Sequence, residues 1–236
     1  NAKGRQIKVH FMVMVLMRSR YKFVYLQNVP FTSKTTVYAH HLAFRYFGGV
    51  PKKVVYDQDR RMLVNENYGD YVMTDEFAKY VKSVCFEPVF CMPYDPASKG
   101  QSEAVVKYVK NNFLSGRTYV SIDSLNDEAI GWLERTGNGK VNSSTRLVPA
   151  EEFKTERLEL MPYVETMEEP ELEAREYSIR KDNTLLYHSN FYSLPLGTYE
   201  GPGSKVLVVK DVDNNELEIY DPKDFSLITR HQIILL

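Results

Sequence analysis

Apolar and polar positions follow clear periods in the first fifty residues of the chain. Two apolar-rich segments, 5–17 and 20–27, are joined by a short polar turn, a pattern that predicts an antiparallel β-hairpin. Thr32 or Ser33 then stands where a helix N-cap is expected, and Gly48 marks the end of the helical pattern. The chain is therefore predicted to begin with a hairpin followed by one amphipathic helix.

The next fifty residues mix short apolar runs with polar stretches. Short strands are predicted at 54–56 and 86–92, with irregular polar loops at 59–71 and 93–100. Between them Thr74 is expected to cap a helix, because Phe77, Tyr80, Val81 and Val84 recur at helical spacing. Ser98 is expected to cap the following helix, which places Glu103 in its first turn.

Helical patterns continue towards residue 160. Asp123 is expected to cap a helix whose Trp132 is a core residue rather than a platform for a stacked base. The Gly-, Asn- and Ser-rich stretch 137–144 is predicted to be a flexible loop. Pro149 suits the first turn of a further helix that ends near Leu160.

The last sixty residues change to short β-strands. Strands are predicted at 177–180, 185–188, 191–194, 205–210, 216–220 and 227–231, with Gly, Pro, Asn and Asp turn signals between them. Short strands at this spacing predict a small closed barrel of SH3-like size. The predicted fold class is α/β, with a mixed sheet flanked by helices in residues 1–148, a helix and acidic linker in 149–176, and the small all-β barrel in 177–236.

Charge is distributed unevenly although the chain carries a net charge of −1. Residues 1–148 hold 21 Lys and Arg against 13 Asp and Glu, a net of +8, whereas residues 151–176 have a net of −7. The tail 177–236 has a net of −2. A basic first region favours a phosphate-bearing partner, because Lys and Arg that neutralise phosphates dominate binding to nucleic acids. An even spread of the same charge around a solvated surface is the alternative.

Cysteines, histidines and apolar runs exclude several classes of protein. Cys85 and Cys91 lack metal-ligand spacing and indicate buried, reduced thiols, which suits the cytoplasm. The longest apolar run, 11–17, is too short to span a bilayer, so no membrane partner is expected. His40 and His41 are adjacent on a helix and diverge by about 100°, so surface or half-buried side chains are expected rather than a shared metal ion.

Two acidic positions are candidates for chemistry. Asp57 follows a short strand, where open α/β sheets place functional groups, although an Asp there also caps turns. Asp59 is a weaker candidate for the same role, since strand alternation lets only one of the two point readily into a shared site. Glu103, Lys107 and Lys110 share one helix face, which suits a metal-binding carboxylate beside a phosphate backbone. The alternative is a solvated helix face with an ordinary Glu–Lys pair.

These motifs together resemble those of a known family. Residues 44–59, which read FRYFGGVPKKVVYDQD, and the segment 95–114 look like bacterial insertion-sequence transposases of the IstA type, and the resemblance extends over nearly the whole chain. Such proteins are DDE transposases with a ribonuclease-H-like integrase core and an active site of three carboxylates. The resemblance implies that Asp57 is the second carboxylate and Glu103 the third.

The resemblance also implies a chemistry and a set of partners. Asp57 and Glu103 are expected to hold Mg²⁺ or Mn²⁺, two ions in the intact enzyme, for DNA strand cleavage and transfer. Arg60, Lys99, Lys107 and Lys110 are expected to hold DNA phosphates. The expected partners are transposon ends and target DNA, further copies of the protein in a synaptic complex, and an ATPase helper protein.

One departure from the family affects the expected activity. The family's first Asp lies in an N-terminal strand, and no such segment precedes residue 7, so we interpret the chain as N-terminally truncated, with Asn1 and Ala2 as a cleavage scar, and expect it to be inactive by itself. The alternatives are a non-catalytic nucleic-acid-binding or transpososome-assembly module on a ribonuclease-H-like fold, or a nuclease that lacks strand transfer.

Overall fold

The computed structural model describes residues 7–56, 63–67, 70–91, 96–164, 166–170, 172–188, 190–211 and 215–234. The chain divides into two compact units, Asn1–Glu168 and Glu169–Leu236. Helices and strands alternate in the first unit, whereas the second is entirely β, so the predicted α/β class is confirmed. In the described residues no helix is long and apolar enough to cross a membrane.

The first unit begins with the predicted hairpin. Strands β1 (His10–Val15) and β2 (Lys22–Gln27) pair antiparallel, with Val13 opposite Val24. Because side chains alternate between the faces of a strand, the hairpin contributes to two separate cores. Phe23 packs in a core with the first helix, whereas Val24 packs on the opposite face with later helices. The hairpin is therefore the middle layer of an α/β/α arrangement.

Two asparagine side chains cover the outer edge of β2. The Asn126 amide accepts from the Leu26 N–H and donates to the Leu26 carbonyl, both at 2.9 Å. Asn138 makes the same pair of bonds to Lys22, at 2.8 and 2.9 Å. Since the backbone groups of an edge strand otherwise invite pairing with another strand, these amides close that edge. The stretch 137–144 was expected to be a flexible loop, but its buried Asn138 is a fixed structural element.

Helix α1 (Ser33–Phe47) covers one face of the hairpin. Thr32 forms a capping box with Thr35, and Gly48 ends the helix with φ = 68°, a left-handed conformation that glycine adopts without strain. Both ends match the sequence prediction. Phe44 and Phe47 are fully buried and join β2 to the elements that follow, so α1 lies at the centre of the first core.

A parallel strand pair follows α1. Strands β3 (Lys53–Tyr56) and β6 (Glu87–Phe90) pair in register from Lys53 opposite Glu87 to Tyr56 opposite Phe90. Helix α2 (Asp75–Val84) connects them, capped by Thr74 as predicted. The polar stretch 59–71 was expected to be an irregular loop, but the structure has a hairpin of β4 (Leu63–Asn67) and β5 (Asp70–Met73) there, so that prediction was wrong.

Helices α3 (Pro96–Val109) and α4 (Ile122–Trp132) cover the other face of the hairpin. Helix α3 begins at Pro96, a residue suited to a first helical position, and not at the predicted Ser98 cap. A π-helical segment, Lys110–Leu114, extends α3, and another, Leu133–Gly137, extends α4. The cap of α4 is Ser121 and not the predicted Asp123, whereas Trp132 is buried in the core as expected.

Helix α5 (Pro149–Glu156) and the 3₁₀ turn Arg157–Glu159 complete the first unit. The ring of Phe153 stacks on Tyr21 at a centroid distance of 4.1 Å. The carboxylate of Glu156 accepts from the backbone N–H of Ser19, in the turn of the β1–β2 hairpin, at 2.8 Å. A bridge between Val50 and Met161 continues this packing, so the helix predicted from Pro149 belongs to the first unit.

The described residues of the second unit form six strands. They are β7 (Leu172–Ser178), β8 (Thr184–Tyr187), β9 (Asn190–Ser193), β10 (Lys205–Asp211), β11 (Glu216–Tyr220) and β12 (Leu227–Gln232). Five lie within one residue of their predicted positions, whereas the first begins five residues before its predicted start, inside the predicted acidic linker. Four form an antiparallel sheet in the order β12-β11-β10-β7, and β8 and β9 form a hairpin. The two sheets share one apolar core. Closure into an SH3-like barrel stays a prediction.

Candidate active site

The candidate site lies where β3 and β6 end. Parallel strands present their carboxyl ends at the same edge of a sheet, which is where α/β folds place functional groups. Beyond the last residue pair, the backbone N–H of Cys91 donates to the Tyr56 carbonyl at 2.9 Å, so the ladder holds the very end of β3. Asp57 is the next residue along the chain. Asp57, its competitor Asp59 and the predicted phosphate ligand Arg60 lie outside the described residues.

Helix α3 carries the second candidate carboxylate. Glu103 lies about two turns after Pro96 and not in the first turn, because the helix begins earlier than predicted. The side chains of Glu103, Lys107 and Lys110 are all exposed. No ion pair or hydrogen bond joins Glu103 to either lysine within the described part of the chain. The exposure of these side chains fits both a carboxylate that binds a ligand and a solvated helix face, so the role of Glu103 stays a prediction.

The lysines differ in their backbone setting. Lys107 lies four residues after Glu103 in regular helix, whereas Lys110 opens the π-helical segment. Short π-helical segments are rare and occur frequently at functional sites. Lys99 belongs to α3, but its side chain lies outside the described part of the structure. The meeting of Asp57 with Glu103 therefore stays a prediction.

Metal-ligating groups are sparse in what the structure shows. Among the described residues, no group of three or more His, Cys, Asp or Glu side chains is arranged to hold a metal ion. The adjacent His40 and His41, expected at the surface or half-buried, are instead 1% and 0% exposed. That expectation was wrong because each ring has a specific hydrogen-bond partner outside α1. The cysteines were expected to be buried, but Cys85 is exposed and Cys91 is half-buried, so that expectation was also wrong.

His40 connects α1 to the end of β3. Its Nδ1 lies 2.6 Å from the Thr36 carbonyl, and its Nε2 lies 3.0 Å from the Tyr56 hydroxyl. A carbonyl only accepts, so Nδ1 carries the proton and Nε2 accepts from the Tyr56 O–H. Aromatic rings surround the pair, among them Phe44, with its ring 6.0 Å from His40.

Burial keeps this pair neutral. Desolvation lowers the pKa of His40 from 6.5 to about 4, although the bond to the Thr36 carbonyl acts in the opposite direction. Burial also raises the pKa of Tyr56 well above its ordinary value of 10. Both side chains therefore stay uncharged across the physiological pH range, and the hydrogen bond between them persists there.

His41 makes a second connection from the same helix. Its Nδ1 lies 2.7 Å from the Tyr163 hydroxyl, which in turn lies 3.3 Å from the hydroxyl of Tyr80 on α2. Sequence reasoning missed both histidine–tyrosine pairs. No local signal reveals them, because the partners are 16 and 122 residues away along the chain.

Comparison with known proteins identifies the family. The chain is 47% identical over 230 residues to a transposase for an IS21-like insertion sequence element of Bacteroides fragilis, a match that covers 98% of this chain and 44% of the relative. Over the part of those proteins that it spans, the chain belongs to the IS21-like transposases. The family recognised from the motifs of residues 44–59 and 95–114 is confirmed.

More distant relatives of the IS21-like chain agree. The transposase for IS21 of Pseudomonas aeruginosa is 27% identical, with 98% of this chain and 57% of the relative covered. A putative transposase for IS5376 of Geobacillus stearothermophilus is 28% identical, with 92% and 52% covered. The IS21-like chain thus spans about half the length of the curated relatives it matches. No protein-family model matches it.

Solved structures add only weak likenesses to the IS21-like chain. A chain of the simian T-cell lymphotropic virus intasome in complex with the PP2A regulatory subunit B56 gamma has a TM-score of 0.46 at 13% identity, covering 95% of this chain and 72% of that one. The magnesium complex of the HTLV-2 integrase catalytic core has a TM-score of 0.44 at 16% identity, covering 61% and 83%. At such scores the likeness carries no argument.

Proposed function

We propose that this chain is part of the catalytic region of a DNA transposase that cleaves DNA strands and transfers them to a target. The observation that carries the proposal is the exposed Glu103 carboxylate on α3, the helix that follows β6. Strand β6 pairs in parallel with β3, the strand that ends immediately before Asp57. This order of elements supports Asp57 and Glu103 as two carboxylates of one active site.

The open edges of two strand pairs support a ribonuclease-H-like arrangement. Within the described residues neither the outer edge of β1 nor that of β3 pairs with another strand, although both strand pairs contribute to one core with α1. All six residues of β1 are half-buried, whereas the outer edge of β2 is closed by Asn126 and Asn138. We propose that a strand preceding this chain in the complete transposase pairs at these edges and carries the first carboxylate.

The donor chemistry of these positions fits a hard divalent cation. Mg²⁺ and Mn²⁺ prefer carboxylate oxygens, and Glu103 offers an exposed carboxylate with no described protein partner. In this proposal Asp57 and Glu103 are ligands of two such ions. Divalent ions bound there would supply electrostatic stabilisation of an in-line displacement at phosphorus. With the first carboxylate outside this chain, the polypeptide by itself is proposed to be inactive.

Basic residues near the carboxylates would position the DNA. Lys107 and Lys110 are exposed on α3 and its π-helical extension. They belong to residues 1–148, the part of the chain that carries the excess of basic residues. Each would contact backbone phosphates and so contribute affinity without reading base sequence. Arg60 and Lys99 are proposed for the same role. Family membership supports a homo-oligomeric synaptic complex and an ATPase helper as further partners.

Substitution of the two carboxylates in the complete transposase tests the proposal. Glu103→Gln and Asp57→Asn keep side-chain size and remove the ligand charge, so cleavage and strand transfer should fall by about a thousandfold or more while end binding is retained. The matched control is Asp127→Asn, an exposed position on α4, which should leave both reactions unchanged.

Each other outcome points to a different function. Substantial strand transfer by either carboxylate variant would refute the assignment of the site. DNA binding by a wild-type protein that neither cleaves nor joins DNA would favour the non-catalytic assembly module. Cleavage without joining of pre-nicked ends to target DNA would indicate a nuclease on the same fold.

A further inference from the structure

Tyr56 is held at both its backbone and its side chain. Its carbonyl accepts from the Cys91 N–H of the neighbouring chain segment at 2.9 Å, and its hydroxyl lies 3.0 Å from His40 Nε2 on α1. The residue is 7% exposed and its ring stacks on Phe90 at 5.4 Å. The last described residue before Asp57 is thus tied to a strand on one side and to a helix on the other.

His40 can bond to both Thr36 and Tyr56 in this way only as a neutral ring with its proton on Nδ1. The Thr36 carbonyl accepts a hydrogen bond from His40 Nδ1–H at 2.6 Å, which leaves the Nε2 lone pair to accept from the Tyr56 hydroxyl. The ring therefore acts as a rigid spacer between the backbone of α1 and the tip of β3. Its close aromatic neighbours Phe77 and Tyr80, with rings 5.8 and 6.4 Å away, hold its plane.

We propose that His40 and Tyr56 are positioning residues that fix the end of β3 so that Asp57 is presented to the divalent ion. The inference rests on the proposed function, because it assigns Asp57 as a metal ligand. Groups that orient metal ligands from outside the coordination shell change metal affinity or activity by about 10- to 100-fold when they are replaced. In this proposal neither His40 nor Tyr56 is a metal ligand, and both act by holding the end of β3.

The same helix provides a matched comparison. His41 and Tyr163 form a bond of the same chemistry, at 2.7 Å, but Tyr163 belongs to the segment after α5 and not to β3. Tyr56→Phe and Tyr163→Phe each delete one hydroxyl bonded to a buried histidine of α1, and Tyr163→Phe also removes the 3.3 Å contact with the Tyr80 hydroxyl. Both should lower Tm by a similar amount, about 3–5 °C. Only Tyr56→Phe should disturb the metal site.

Binding of Mn²⁺ to the complete transposase provides a readout other than activity. The dissociation constant would be measured from the loss of the free-ion electron paramagnetic resonance signal, for wild type, Tyr56→Phe, Tyr163→Phe and Asp57→Asn. We expect Tyr56→Phe to weaken Mn²⁺ binding about tenfold and Tyr163→Phe to leave it unchanged. His40→Gln keeps an acceptor for the tyrosine and should bind Mn²⁺ more tightly than His40→Leu does.

Four results would overturn the proposal. Equal Mn²⁺ affinities for Tyr56→Phe and Tyr163→Phe would show that the two bonds are only structural. Equal losses for His40→Gln and His40→Leu would exclude the acceptor as the cause, even if Tyr56→Phe folds poorly. If Asp57→Asn itself leaves Mn²⁺ binding intact, the metal site assigned under the proposed function fails and the positioning role fails with it. A loss with Asp57→Asn but not with Tyr56→Phe removes the positioning role alone.

Discussion

The two units bury polar groups in opposite ways. In the first, His40 is buried as a neutral ring and the buried Lys22 has its pKa lowered towards neutrality, to about 8. In the second, Glu218 is 1% exposed, and its carboxylate accepts from Arg230 at 2.9 Å and from the Tyr220 hydroxyl. The first unit therefore buries a neutral ring and an amine that donates to two backbone carbonyls, whereas the second buries a carboxylate that is paired with an arginine.

Exposed charged side chains at the candidate site differ from those of the second unit in whether they are paired. In the second unit Lys205 pairs with Glu176 at 3.0 Å and Lys223 with Glu200 at 2.7 Å. Around the candidate site, Glu103 has no such partner among the described residues. A charge without a partner is available to a metal ion or a phosphate, whereas a paired charge must first be released. This difference supports the proposal that α3 binds a ligand through Glu103.

The largest expected effect tests the ionic side of this comparison. Arg230→Met leaves the Glu218 carboxylate buried without its cation, so the free energy of unfolding should fall by about 3–5 kcal/mol. The double variant with Glu218→Gln should recover much of that loss, because no charge is then buried. Urea unfolding of the whole chain measures both. Lys205→Met, which breaks an exposed pair, should change stability by about 1 kcal/mol or less.

A smaller effect tests the neutral hydrogen bonds that are buried in the first unit. Asn138→Asp keeps the acceptor for the Lys22 N–H but loses the donor to the Lys22 carbonyl and places a carboxylate at a position 1% exposed. We expect a loss of about 2–3 kcal/mol in urea unfolding. Asn142→Asp is the matched control, since the side-chain oxygen of Asn142 accepts from the backbone N–H groups of Ser144 and Thr145 and an Asp oxygen can do the same, so the change should cost about 0.5 kcal/mol or less. Equal losses would contradict the role of the Asn138 amide as a strand partner.

The difference between local and distant contacts explains how far the sequence predicted the fold. Thr32, Thr74 and Gly48 bound their helices as expected, because a cap and a stop are set by residues within one turn. The hairpin β4–β5 was missed, because its polar sequence lacks the alternation that marks a half-buried strand. The start of α3 was misplaced by three residues, since a cap at Ser98 predicts a helix from residue 99 whereas the helix begins at Pro96.

The candidate site was predictable only in part. Glu103 and Lys107 share a helix, as their spacing predicts, and are exposed. The buried state of His40 was not predictable, because its partner Tyr56 lies on another element and is recognised only after folding. The pairing of Asp57 with Glu103 stays a prediction.

A pH titration separates the contribution of the buried Lys22 from that of the ion pair. Burial, assisted by nearby Arg20, lowers the pKa of Lys22 from 10.5 to about 8, so between these values the unfolded chain binds more protons than the folded one. The free energy of unfolding should therefore rise with pH from about 8 to 10, by roughly 1–2 kcal/mol because the amine is partly solvated. Above pH 10 the trend should reverse, since burial raises the pKa of Tyr46 and Tyr56.

The control for the titration is Lys22→Met, which has no amine to titrate. Urea unfolding at a series of pH values should show the rise in wild type and a flat profile in the variant between pH 8 and 10. A rise of the same size in Lys22→Met would assign the pH dependence to another group. Arg230→Met should keep the wild-type slope, because that variant leaves Lys22 and its surroundings unchanged.

The smallest effect concerns the exposed lysines of the site. Lys107→Gln and Lys110→Gln should each weaken DNA binding by the complete transposase by about 1 kcal/mol and lower the slope of log K against log salt by about 0.9, because each removes one phosphate contact. The loss should be the same for specific and unrelated DNA, since phosphate contacts carry no sequence information. Fluorescence anisotropy at several salt concentrations measures both quantities. Lys154→Gln is the control: that lysine is equally exposed but pairs with Glu151 at 2.6 Å, so its removal should leave the slope unchanged. An equal drop for all three variants would show that pairing does not decide which lysines bind phosphate.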